Sequence, residues 1–248
     1  MDCFNVLYIV HFAKKCIFHI YPDFSAYSKH ETENNSPFFV FVLRLFTKKG
    51  SGMKLCVFQG TFNPIHKVHL EIAKFAKKYY GFDSILFIPA YIPPHKSLDK
   101  TLAKHRFNMV KLAISGFPEF DISDIEYKKE QNSYTYNTIL ELKRKYNPEQ
   151  ICFLIGTDAF SGIRSWYKTE KLKELVHFIV FKRTDNFNVS DFDELKSSGY
   201  DFEIAPMDFI DVSSTRLRNN LKLGLSINDM ELSSVGEYID ENGLYKRK

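Results

Sequence analysis

Cys56 to Ala76 reads CVFQGTFNPIHKVHLEIAKFA, and the order of residue types in it decides the fold. The apolar run Leu55 to Phe58 predicts a buried strand. Gly60, Thr61, Asn63 and Pro64 predict a tight loop, and His66, His69, Ile72, Ala73 and Ala76 then recur at helical spacing. Strand, loop and helix in that order predict an α/β protein with a parallel sheet. In that geometry loop amides and a helix N-terminus sit at the carboxyl end of a strand, where their partial positive charge receives an anion. His66 and His69 are three apart, so both rings are expected on one face of the first turn, donating hydrogen bonds to phosphate oxygens. An isolated HxxH is more often one surface and one packed histidine, and the loop chemistry is what favours the anion. Two ligands at i and i+3 need a third, and no CxxC or HExxH supplies it, so no metal site of the protein's own is expected.

The surrounding composition limits the function. With 248 residues, 44% of them hydrophobic, the chain can bury one good-sized core with a small appendage. Its formal charge is +4, from 34 basic and 30 acidic residues scattered along the chain, which supports no nucleic-acid partner but allows a pocket for phosphates. The four cysteines, Cys3, Cys16, Cys56 and Cys152, show no paired spacing and are expected as reduced thiols of a cytoplasmic protein. Phe4 to Ala13 and Phe38 to Phe46 are apolar, yet too short for a bilayer, which needs about 20 residues. No membrane partner follows from them, and a signal peptide is not favoured, since Asp2 is the only charge ahead of the first run. Residues 47–52, TKKGSG, have linker composition. Oligomeric state is left open, a homo-oligomer included.

Downstream, short apolar runs alternate with helical patterns. Ser84 to Pro89 is a buried strand followed by AYIPPHK, in which Pro93 and Pro94 stiffen the loop that presents His95 and Lys96. Thr101 to Ser115 is a helix, with Leu102, Phe107, Val110, Leu112 and Ile114 as its apolar positions, and Phe120 to Ile125 a strand. Ser133 caps a helix running to Tyr146, and Ile151 to Ile155 is a strand ending at Gly156, Thr157 and Asp158, a turn able to hold a ribose. Trp166, the only tryptophan, sits in the polar stretch Ser161 to Thr169 and offers an aromatic platform. Val176 to Phe181 and Phe202 to Ala205 are further strands, the first ending at Lys182 and Arg183, with a polar loop between them. In Val212 to Arg218, VSSTRLR, Ser213 or Ser214 caps a helix whose first amides, with Thr215, face an anion that Arg218 can clamp. Ser233 to Tyr245 is a closing helix and turn.

QGTFNPIHKVH resembles the GGTFDPIHxGH signature of the nucleotidylyltransferase superfamily, above all that of its bacterial-type nicotinate mononucleotide adenylyltransferases. Further motifs follow in the family's order: PPHK, SYTYNT for SYTxDT, IGTDAF for GADxL, Trp166, and VSSTRLR for ISSTxIR. The sequence departs from the signature at Gln59 and Val68, where glycines are usual, and at Asn63, where aspartate is. The resemblance spans about Met53 to Tyr245. It implies a Rossmann-like, doubly wound parallel sheet of the HxGH type and an enzyme running from Met53 to Lys248, with residues 1–52 an extension that the mature protein can lack.

The resemblance also implies an activity: transfer of the adenylyl group of ATP to nicotinate mononucleotide, giving deamido-NAD and pyrophosphate. His66, His69 and Arg218 are then catalytic. Gln59, Gly60, Thr61, Phe62, Asn63, Gly156, Asp158, Ser213, Ser214 and Thr215 bind ATP. Thr135, Trp166, Tyr167, Lys96 and Arg183 bind the mononucleotide, with Trp166 stacking on the pyridine ring. Mg2+ comes with ATP. Adenylyl or cytidylyl transfer to another phosphorylated acceptor, such as phosphopantetheine, and a non-catalytic nucleotide sensor are the alternatives. The first lacks a use for SYT and Trp166; the second lacks a reason to keep both histidines and Arg218.

Overall fold

A computed structural model describes residues 53–94, 101–128, 132–184, 187–227 and 232–246. The expectations for residues 1–52, which include Cys3 and Cys16, and those for His95 and Lys96 lie outside the described residues.

Six strands form one sheet in the order β3-β2-β1-β4-β5-β6: β1 (Lys54–Gly60), β2 (Ile85–Pro89), β3 (Phe120–Ile122), β4 (Gln150–Gly156), β5 (His177–Phe181) and β6 (Phe202–Ile204). Every pairing is parallel. A parallel sheet covered by crossover helices needs strands that are apolar on both faces. The central strands meet that need, with every residue of β2 and five successive residues of β4 buried. Chain order reverses direction between β1 and β4, which leaves a crevice beyond their carboxyl ends, the usual ligand site of a doubly wound sheet. Cys56 and Cys152 sit side by side on these two strands as free, buried thiols, and burial raises the pKa of both.

The helices are α1 (Lys67–Tyr80), α2 (Thr101–Ile114), α3 (Thr135–Tyr146), α4 (Thr157–Ser161), α5 (Thr169–Leu172), α6 (Asp193–Ser197), α7 (Ser214–Leu223) and α8 (Ser233–Glu241). Helix α1 buries Val68, Leu70, Ile72, Ala73 and Ala76, carries Lys77 and Lys78 in its last turn, and stops at Gly81 with φ 70. Three expectations need adjustment. Tyr134, not Ser133, is the N-cap of α3, because the Ser133 hydroxyl instead accepts from the Ile92 N–H at 3.1 Å. The inward face of α2 is Ala103, Arg106, Met109, Val110, Ala113 and Ile114, so an arginine occupies a core-facing position. Between β5 and β6 the polar stretch folds into a 3-10 turn (Val189–Phe192) and α6, held by Phe192, whose ring lies 5.0 Å from Phe160. None of the helices among the described residues is long and apolar enough to cross a membrane.

Candidate active site

At the reversal point lies a cleft of about 770 Å³. Its lining contains Gln59, Gly60, Thr61, Phe62, Asn63 and His69 from the β1–α1 segment, and Gly156, Asp158 and Arg183 from the ends of β4 and β5. Ser213, Ser214, Thr215 and Arg218 come from the start of α7, and Thr135, Trp166 and Tyr167 form the opposite wall. Motifs from one end of the described chain to the other thus converge. Among the described site residues expected from sequence, His66 alone is absent from the lining.

The loop between β1 and α1 is tightly tied. Gly60 lets the Phe62 ring lie close to the strand end, since a Cβ there would stand 3.0 Å from that ring. Phe62 itself is buried at φ 46, a left-handed conformation that costs a bulky residue and persists only when its surroundings impose it. The surroundings do so. Arg218 Nη1 donates to the Asn63 carbonyl at 2.7 Å, Ser214 Oγ to the Pro64 carbonyl at 2.9 Å, and Tyr245 Oη to Asn63 Oδ1 at 2.6 Å. Ser213 caps α7 by accepting from the Arg216 N–H at 3.2 Å, and Arg218 Nη2 also donates to Thr215 Oγ1 at 3.2 Å. The VSSTRLR segment therefore supports the loop as well as facing the cleft.

The two histidines take different places. His69 lies in the first turn of α1 and lines the cleft; its Nδ1 accepts from the His66 N–H at 3.2 Å, which puts the proton of a neutral ring on Nε2. His66 is the N-cap, with extended backbone at φ −145, so it precedes the helix instead of sharing its face. Its ring is fully buried behind that of His69, with centroids 3.7 Å apart, and neither ring nitrogen has a hydrogen-bond partner among the described residues. Burial and then the charge of Arg183 lower the His66 pKa to about 3. Val68, the departure from HxGH, packs its side chain into the core and not into the cleft.

At the end of β4, a Cβ on Gly156 would lie 2.5 Å from Asp158 Oδ1 and 2.9 Å from Arg183 Cγ, so glycine lets these side chains approach the strand end. Arg183 Nε stands 3.8 Å from Asp158 Oδ1, and the Arg183 N–H donates to Thr157 Oγ1 at 3.0 Å. The opposite wall is aromatic and more open. Thr135 opens α3, where helix geometry leaves N–H groups without intrahelical acceptors. Tyr167 packs on Tyr134 with centroids 4.7 Å apart, and Lys168 lies 4.9 Å over the Tyr167 ring. Trp166 is half-buried with its ring edge-on to Phe153 at 6.4 Å.

Sequence reasoning missed three residues behind the cleft. Arg106, fully buried, donates to the carbonyls of Thr61 (2.8 Å), Tyr91 (2.8 Å) and Ala90. Glu126, also buried, accepts from Gln59 Nε2, from the Tyr91 N–H at 3.2 Å and from Thr138 Oγ1 at 2.7 Å. Tyr245 holds Asn63 from the far end of the chain. The one available signal was Arg106 itself, a charge on the apolar face of α2. Among the described residues no group of three or more His, Cys, Asp or Glu is arranged to hold a metal ion.

A parallel, doubly wound sheet with a cleft at its reversal point is the class of fold seen here, and a cytidylyltransferase-like family model matches residues 57–220. The probable nicotinate-nucleotide adenylyltransferase of Caldicellulosiruptor saccharolyticus is 37% identical over 198 residues, covering 78% of this chain and 100% of that protein. The nicotinate-nucleotide adenylyltransferase of Bacillus subtilis is 37% identical over 194 residues, covering 78% and 98%. In three dimensions the fold matches that of Plasmodium falciparum nicotinic acid mononucleotide adenylyltransferase complexed with NaAD, with a TM-score of 0.66, 22% identity, and coverage of 78% of this chain and 97% of that one. The chain belongs to the cytidylyltransferase-like family and, within it, to the nicotinate-nucleotide adenylyltransferases.

Proposed function

We propose that the protein transfers the adenylyl group of ATP to nicotinate mononucleotide, forming deamido-NAD and pyrophosphate, a step of NAD biosynthesis. The observation that carries this reading is one cleft joining an anion-directed loop, with His69, Arg183 and Arg218, to the Thr135, Trp166 and Tyr167 wall. The names of the relatives point the same way.

The acceptor phosphate is ionised near neutral pH and needs no general base. One of its oxygens attacks the α-phosphorus of ATP in line; that P–O bond forms as the bond from the α-phosphorus to the β-phosphate oxygen breaks, and pyrophosphate leaves with the electron pair. The protein's work is positioning and charge neutralisation. His69, with the Gly60 and Thr61 amides, stabilises the charge growing on the transferred group, and His66 backs the His69 ring. Arg218 and the Ser213–Thr215 cap hold the departing pyrophosphate. Gln59, Phe62 and Asn63 complete the ATP side, and Gly156 with Asp158 receives the adenosine ribose. Arg183 faces the phosphates between the two substrates. The cleft's phosphate side carries cations and N–H donors, which suits phosphate oxygens and not a metal, so Mg2+ would come with ATP and not from ligands of this chain. When bound it offsets phosphate charge.

Trp166 stacks on the pyridine ring, while the N–H groups of Thr135 and Tyr167 receive its carboxylate. A carboxamide would set its NH2 against those donors, a mismatch of about 1 to 3 kcal/mol when buried. Residues 53–248 constitute the enzyme in this reading, supported by Gly52–Lys248 forming one unit and by relatives that align over 78% of the chain. Mass spectrometry of the native N-terminus tests that part. A cytoplasmic setting is supported by the free thiols of Cys56 and Cys152.

The test is pyrophosphate release with ATP, magnesium and a panel of acceptors. Nicotinate mononucleotide is expected to exceed nicotinamide mononucleotide by about ten- to hundredfold in kcat/KM, from the donor mismatch. Equal efficiency would remove the backbone-amide account. Turnover with phosphopantetheine alone would move the protein to the other acceptor class, and turnover with none would make it a nucleotide sensor.

A further inference from the structure

Glu126 lies on no motif, yet it joins three segments that the reaction needs in register. Its carboxylate accepts from Gln59 Nε2 at the end of β1, from the Tyr91 N–H after β2, and from Thr138 Oγ1 in α3 at 2.7 Å. The Ser133 side chain also hydrogen-bonds to it. Ser133 in turn binds Ile92 twice, its hydroxyl accepting from the Ile92 N–H at 3.1 Å and its N–H donating to the Ile92 carbonyl at 2.8 Å. Gln59 precedes Gly60 of the phosphate loop, and Ser133 and Thr138 flank Thr135 of the aromatic wall. Burial raises the Glu126 pKa, whereas the hydrogen bonds from Ser133, Thr138, Tyr91 and Gln59 oppose that shift and favour the carboxylate. This one buried group ties the loop that grips the triphosphate to the wall that receives the acceptor base.

A structural brace would need no charge here. Burying a carboxylate is costly and is tolerated only when its lone pairs are filled, as the donors on Glu126 fill them. Neutral side chains of similar volume commonly hold a fold as well as buried ions do. What the ion adds is directionality: it accepts from every side at once and fixes the donors relative to one another. Arg106 completes the pattern from the other side, donating to the Tyr91 carbonyl while the Tyr91 N–H donates to Glu126, and reaching the phosphate loop at the Thr61 carbonyl.

We propose that Glu126 is a positioning residue for adenylyl transfer, which sets the distance and angle between the phosphate loop and the acceptor wall through its bond to Gln59. The inference rests on the function proposed above. In-line attack is sensitive to placement on the scale of 1 Å, where displacement costs about a hundredfold in rate. Binding of ATP to its own side of the cleft is not sensitive in the same way.

The test uses the full chain and measures kcat, both KM values and Tm. Glu126→Gln keeps the shape but sets an NH2 among donors. It is expected to lower kcat by about ten- to hundredfold and to raise the acceptor KM, while the KM for ATP moves less than about threefold. Thr138→Val cuts only the arm to α3, at a buried residue outside the cleft lining, and is expected to lower kcat in the same sense if Glu126→Gln fails to fold. An unchanged kcat in folded Glu126→Gln or Thr138→Val, or a loss confined to the KM for ATP, overturns the proposal. The parent enzyme, assayed alongside with the acceptor panel, reports separately on the function. Should the parent use another acceptor, the same comparisons are read on that acceptor, and a parent active with none overturns both readings.

Discussion

The two sides of the cleft are built on different principles. The phosphate side is a backbone site locked by hydrogen bonds: Arg218, Ser214, Tyr245 and Arg106 each hold an atom of the segment Thr61 to Pro64. The acceptor side is a wall of half-exposed aromatic rings, with Tyr167 42% exposed and held by stacking on Tyr134 and by Lys168. Phosphoryl chemistry needs donors fixed before the charge develops, because reorganising them during the reaction would consume the stabilisation they provide. Recognition of a flat base needs area and a few directed donors, and tolerates adjustment. The difference predicts that changes on the phosphate side act on kcat and changes on the aromatic wall act on KM.

The largest effect is expected at His69. On the function proposed, its replacement by alanine takes away a transition-state donor and is expected to lower kcat by about a hundredfold or more, with little change in the KM for ATP. His66→Ala removes the backing ring and is expected to follow it in the same direction. Steady-state kinetics with both substrates varied decides the matter, and near-normal turnover in both variants would break the contrast between the two sides.

A smaller effect, of another kind, is expected at Trp166. On the function proposed, Trp166→Ala takes away the stacking platform, worth about 1 to 3 kcal/mol per base in comparable sites, so the KM for nicotinate mononucleotide is expected to rise about tenfold. The KM for ATP should hold. A fall in kcat as deep as that of His69→Ala would show that the wall, too, is catalytic.

The same contrast explains what was legible in the sequence. The β1–α1 loop, the cap at Ser213 and the Gly156 turn are local, and their residue types state their backbone geometry. All of them line the cleft. Trp166 and Thr135 were placed by likeness to a family, since an aromatic residue in a polar stretch does not by itself say what it faces. Glu126 and Tyr245 were not legible because their partners are distant in sequence, Tyr245 and Asn63 being 182 residues apart, and Arg106 showed only as a charge on the apolar face of α2, with nothing to name its partners. Nor was the burial of His66. Spacing put it on the helix face beside His69, but the extended conformation of the N-cap turns its ring behind its neighbour.

That placement of His66 gives the last and smallest prediction. A histidine ordinarily titrates near 6.5, as it does in the unfolded chain, whereas burial and the nearby Arg183 hold the folded ring's pKa at about 3. Between these values the unfolded state binds a proton that the folded state does not, so stability rises with pH over this window. The contribution is complete above about pH 6.5 and is lost as pH falls toward about 3. In a chain of this size each kcal/mol moves Tm by about 2 to 4 °C, so cooling of the melting transition between pH 7 and pH 5 should be measurable by calorimetry. His66→Gln, which stays neutral, is expected to flatten that slope. Pyrophosphate should flatten it as well, because its charge beside the buried ring opposes the effect of Arg183 and raises the ring's pKa toward its ordinary value. An unchanged slope in His66→Gln would assign the titration to another group and leave His66 as a packing residue behind His69.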